Sequence, residues 1–70
     1  MKQNSFLDNI KAERVRAGLT QEELAKKVGI SVTSYNLKET GTRQFSVDEL
    51  MLIANALGTD PEALLKMPLR

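Results

Sequence analysis

The side chains in this chain that are suited to chemistry hydrogen-bond rather than break bonds. Ser31, Thr33, Ser34 and Asn36 crowd one short stretch, with Gln21 ahead of it and Lys38 and Arg43 behind. Short hydroxyls and a carboxamide donate to and accept from flat polar edges such as those of nucleic-acid bases. Thr33 and Asn36 suit that task, and Val32 and Leu37 are compact enough to touch thymine methyls. Lys38 and Arg43 suit phosphate oxygens. Gln21, just inside a helix start, can hold a phosphate together with the free backbone N–H groups there, with Thr20 as cap and phosphate neighbour at once. A solvated surface helix would have much the same composition, so the surrounding elements have to decide. Lys26 and Lys27 read as solvated charges on an amphipathic helix.

Covalent catalysis has little to work with. The chain has no His and no Cys, which removes the usual metal ligands and the usual nucleophile and base pairs, as well as any disulfide framework. Glu22, Glu23, Asp48 and Glu49 sit at helix starts, where capping and the helix dipole account for them. The expectation is a non-enzyme with no cofactor and no metal. No apolar run approaches the roughly 20 residues of a membrane span, and MKQNSFLDNIK lacks the apolar core of a signal peptide, so a cytoplasmic protein without membrane contact is expected. Net charge is only +1, but it is unevenly placed. Residues 1–43 hold eight Lys/Arg against five Asp/Glu, and residues 44–70 hold two against four. A basic front and an acidic back would orient the protein on a polyanion, although chance scatter in a small chain can give the same imbalance.

Five helices must position these residues, and no strand pattern competes. The first runs from about Ser5 to Ala17, with Ser5 and Asp8 as a capping arrangement, Phe6, Leu7 and Ile10 facing inward, and Gly18 as the stop. The second starts at Thr20, where Glu23 completes a capping box; Leu24, Ala25 and Val28 form its buried stripe and Gly29 ends it. The third follows Ser31 as N-cap and runs to Glu39 or Thr40, anchored by Tyr35 and closed by Gly41. Thr42, Arg43 and Gln44 connect to Phe45. The fourth pairs Ser46 with Glu49 and carries Val47, Leu50, Ile53, Ala54 and Leu57 before Gly58. The fifth has Asp60 as cap, Pro61 in the first turn and Leu64 and Leu65 within, and fades into a tail at 66–70. Residues 1–70 form a single all-α domain with a small core.

Two short helices joined at Gly29, the second of them polar, have the layout of a helix-turn-helix over about residues 20–39. Gly29 alone does not establish it, because an ordinary helix C-cap needs the same residue. The spaced signals together resemble the lambdoid phage repressor and Cro type of helix-turn-helix family. The residues that carry the resemblance are Gly18-Leu19-Thr20-Gln21-Glu22-Glu23-Leu24-Ala25, Gly29-Ile30-Ser31, Tyr35, Glu39 and Gly41, then Leu50, Ile53-Ala54 and Ala56-Leu57-Gly58. It covers about residues 6–65.

The resemblance implies a compact five-helix, lambda-repressor-like DNA-binding domain that binds operator DNA as a two-fold dimer. By position it implies that Gln21 contacts the DNA backbone or steadies the recognition helix, and that Val32, Thr33 and Leu37 face bases. Ser34 and Asn36 match neighbours that touch phosphate, and Thr40 and Arg43 match a phosphate-contacting loop. Arg14 and Glu39 match a partly buried ion pair locking the first helix to the end of the third. Two departures stand out. Lys38 occupies a position often apolar or aromatic, and Leu37 one often held by a polar base reader.

The resulting expectation is a Cro-like repressor that reads an inverted-repeat operator in double-stranded DNA through its third helix. Seventy residues leave no room for a separate sensor domain. A homodimer is expected, because one small helix-turn-helix contacts too few bases to be selective. Leu52, Leu64, Leu65, Met67 and Leu69 are the interface candidates, with closure of the monomer core an equal reading of Leu64 and Leu65. The alternative is a modulator that binds another repressor, or an antitoxin, on the same fold. Low net charge, the absence of Arg or Lys in the third helix before position 38, and apolar Leu37 and Leu52 favour it.

Overall fold

The computed structural model describes residues 5–66, with side chains from 6 to 64. Within them the order is α1 (Ser5–Arg16), α2 (Gln21–Val28), α3 (Val32–Glu39), α4 (Val47–Leu57) and α5 (Pro61–Lys66). No strand occurs among the described residues. Local chemistry sets the helix starts. Thr20 Oγ1 accepts from Glu23 N at 3.0 Å while Glu23 Oε1 accepts from Thr20 N at 2.9 Å. Ser46 and Glu49 repeat the same reciprocal pair at 3.1 and 2.9 Å. Each box satisfies two backbone donors that the first turn would otherwise leave unpaired. Ser31 Oγ caps α3 by accepting from Ser34 N at 3.0 Å. The capping side chain expected at Ser5 lies outside the described side chains, and α1 stops at Arg16, just before Gly18.

Gly29 carries the turn that matters most. Its φ of 87° is left-handed, and its N–H bonds back to Ala25 O and Lys26 O. A side chain would strain this conformation, so glycine lets α3 leave α2 after only three residues.

The core is Ile10, Leu24, Ala25, Val28, Tyr35, Ile53, Ala54 and Leu64, flanked by half-buried residues including Phe6, Leu7, Ile30, Phe45, Leu50 and Leu57. Each fully buried Ile or Leu contributes about 1.5–3 kcal/mol over its exposed state. Helix α2 packs on α3 and α4, while α1 packs on α5 and α3, and α4 on α5. Asn9 is buried as well, and its Nδ2 donates to Leu64 O at 2.9 Å, tying α1 to the last helix.

Of the two readings the sequence offers for Leu64, the structure favours closure of the monomer core. The Leu64 side chain is wholly enclosed between α1 and α4 and is closed to a second subunit. Leu52, by contrast, is 45% exposed on α4, and Val47 and Met51 of the same helix are exposed as well. The side chain of Leu65, and Met67 and Leu69 altogether, lie outside the described residues. Among the described residues no helix is long and apolar enough to cross a membrane.

Candidate nucleic-acid interface

Helix α3 has one anchored face and one open face. Tyr35 and Glu39, one turn apart, point inward. The Tyr35 ring packs against Phe45 with centroids 5.8 Å apart and planes tilted by 56°, a favourable aromatic geometry. Ser31, Val32, Thr33 and Asn36 are exposed, while Ser34 and Leu37 are half-buried. The polar stretch seen in the sequence thus stands outside a helix whose opposite side is locked into the core.

The lock is ionic. Arg14 Nε donates to Glu39 Oε2 at 2.9 Å, Nη2 reaches Oε1 at 3.4 Å, and Nη1 donates to Leu19 O at 2.8 Å. The two side chains are only 10% and 4% exposed. Tyr35 Oη adds a bond to Glu39 Oε2 at 2.5 Å, and Gln21 Nε2 adds one to Oε1 at 2.8 Å. Burial pushes the Glu39 carboxyl up, but the donors from Arg14, Tyr35 and Gln21 outweigh it and hold the group below its ordinary range. The same carboxylate raises Arg14, and burial raises the Tyr35 phenol. Both cation and anion are fixed in their charged forms at neutral pH.

Gln21 carries this network outward. Its Oε1 accepts from Asn36 Nδ2 at 3.2 Å, so one carboxamide joins the buried carboxylate to the open face of α3. A chain of hydrogen bonds runs Arg14–Glu39–Gln21–Asn36, from α1 through the core to the surface. The sequence resemblance paired Arg14 with Glu39, while Gln21 and Asn36 were named separately as residues near DNA. Missing from that reading were the Tyr35 hydroxyl and the linkage itself. The spacing of Tyr35 and Glu39 on one helix face was an available signal.

The loop after α3 is folded back tightly. Gly41 N donates to Lys38 O at 3.2 Å, and Thr42 N and Arg43 N both donate to Leu37 O, at 2.9 and 3.0 Å. Thr40 Oγ1 donates to Asn36 O at 2.9 Å and contacts Leu37 O at 3.2 Å. Gly41 has a φ of 94°, and a Cβ there would sit 3.2 Å from Leu7 Cδ1, so the loop lies close on α1. Arg43 is exposed beyond it and makes no ion pair among the described residues.

Lys38 is placed differently. Its Nζ donates to Glu49 Oε1 and Oε2 at 2.7 and 2.6 Å, across the loop onto the first turn of α4. The side chains are 14% and 17% exposed. The Lys38 bond, joined by the backbone N–H of Ser46, holds the Glu49 carboxyl below its ordinary range. Nothing in the sequence pattern points to this pair, because its members belong to different helices.

The chain matches the helix-turn-helix family model over residues 10–64. It is 36% identical over 61 residues to a protein named uncharacterized HTH-type transcriptional regulator YqaE, from Bacillus subtilis (strain 168). That alignment takes in 87% of this chain and 53% of the relative, so the chain spans about half of that protein's length. The chain belongs to the helix-turn-helix family.

Proposed function

We propose that this helix-turn-helix chain is a sequence-specific DNA-binding regulator of transcription, a Cro-like repressor that places α3 in the major groove. The observation that carries this reading is the two-sided construction of α3. Tyr35 and Glu39 fix its inner face, and Val32, Thr33 and Asn36 stand exposed on the other. A rigid helix presenting short polar and compact apolar side chains matches what base edges require. Val32, Thr33 and Leu37 read bases in this proposal. Gln21, Ser34 and Asn36 approach the backbone, as do Thr20, Thr40 and exposed Arg43. The Gln21–Asn36 bond holds both amides in register before DNA arrives, which lowers the ordering cost of binding.

The regulator acts as a homodimer on an inverted repeat. The exposed apolar side chains of Val47, Met51 and Leu52 on α4 support a second copy, extending the patch beyond the Leu52 noted from sequence. The B. subtilis relative's name, a transcriptional regulator, agrees with this reading.

Selection of duplexes from a random library by the pure protein at moderate salt tests it. Enrichment of an inverted repeat with half-sites about 34 Å apart is the expected result. Weak, salt-sensitive binding without any enrichment would overturn it in favour of the protein-binding modulator.

A further inference from the structure

Resting on the DNA-binding reading, we propose that Glu49 is a restraint on Lys38, holding the last cation of α3 away from the DNA backbone and so limiting sequence-independent affinity. Lys38 is the one basic residue within α3. In an interface built on this helix, an unrestrained ammonium there would be a natural phosphate contact. Instead both Glu49 carboxylate oxygens hold it, at 2.7 and 2.6 Å. The pair is largely shielded from solvent, so salt screens it weakly.

Glu49 is itself held. Its Oε1 also accepts from Ser46 N at 2.9 Å as part of the α4 capping box. The carboxylate therefore cannot swing aside with Lys38 without breaking its half of the α4 capping box. A phosphate approaching Lys38 meets a neutral pair rather than a free cation able to displace counterions condensed on the DNA, and little electrostatic gain follows. Arg43, exposed and without an ion pair among the described residues, is left as the cation on this side of the helix. Glu49 touches no DNA in this scheme; it acts through Lys38 and is a positioning residue.

The replacement Glu49→Gln removes the charge and keeps a carboxamide oxygen for the capping box. A four-way comparison of the wild type, E49Q, K38Q and the K38Q/E49Q double variant separates the roles. Each is titrated onto the duplex selected above, and onto an unrelated duplex, from about 50 to 200 mM salt, after melting curves show that it is folded. The expected result is that E49Q alone steepens the salt slope by about 0.9, one added phosphate contact, on both duplexes. Its affinity then falls about 3- to 4-fold more than that of the wild type over this range. The wild type and the double variant share one slope. A wild-type slope steeper than the double variant's would mean that Lys38 already binds phosphate, and would overturn the proposal. Equal slopes for E49Q and the double variant would show that freed Lys38 does not reach the backbone, with the same consequence. If the wild type itself binds no duplex, the DNA reading falls and this inference with it; if it binds and only the E49Q result fails, the DNA reading stands.

Discussion

Replacing Arg14 with Met tests the buried lock most directly. The guanidinium supplies two contacts to the Glu39 carboxylate, at 2.9 and 3.4 Å, and a third hydrogen bond to Leu19 O at 2.8 Å. Met preserves much of the apolar stem but strands a carboxylate whose side chain is 4% exposed. Breaking a buried pair by removing one partner costs about 3–5 kcal/mol. A domain of this size has a total stability on the order of 4–10 kcal/mol, so the loss is a large fraction of the whole. At about 4–8 °C per kcal/mol, the thermal midpoint should drop by more than about 10 °C at pH 7.

Two controls make the reasoning specific. In R14M the dominant force on Glu39 is burial, which raises its carboxyl, so protonation on lowering the pH relieves the stranded charge and narrows the gap from wild type. The double variant R14M/E39Q should recover part of the loss, because no buried charge is then left alone. Thermal melts followed by circular dichroism at pH 7 and pH 5 read all three. A drop under about 3 °C for R14M, or a gap that widens in acid, would refute the argument that this pair is desolvated and locks α3.

The other expectations can be checked together. Arg43→Ala should weaken binding to every duplex alike and flatten the salt slope by about 0.9, whereas Thr33→Ala should relax preference at one base position by about 1–3 kcal/mol, as read by titrations on single-base variants of the operator. Leu52→Lys places a charge on the exposed apolar surface of α4 and should shift sedimentation toward monomer while lowering the folding stability of the chain by no more than about 0.5 kcal/mol. In the wild type, Glu39 and Glu49 both have folded-state values below the ordinary carboxylate value of 4.5. Their contribution is therefore complete above that value and is lost as pH falls through the lower folded values, so acid melts should stay flat down to about pH 5 and decline below it. A decline beginning near pH 6 would contradict both shifts.

Much of this protein was determined by its sequence. Capping boxes at Thr20–Glu23 and Ser46–Glu49, glycines at 29, 41 and 58, and apolar residues at helical spacing are local signals, each acting within a turn or two of chain. Local signals survive in a sequence because their partners are neighbours along it, and five helices and a turn between the second and third follow from them. The polar character of the third helix was equally legible.

The tertiary structure decided which face of each helix meets what. Leu64 and Leu52 look alike as apolar residues near the end of the chain, yet packing encloses one among α1 and α4 and leaves the other in the open. The resemblance paired Glu39 with Arg14 alone, yet Tyr35 and Gln21 converge on the same carboxylate, so that side chains from three helices meet there. Lys38 looks like a free phosphate ligand until the loop folds back and brings Glu49 within 2.6 Å. In each case the deciding partner lies far along the chain, and the energy of desolvating or pairing a group depends on distances that only the assembled helices set.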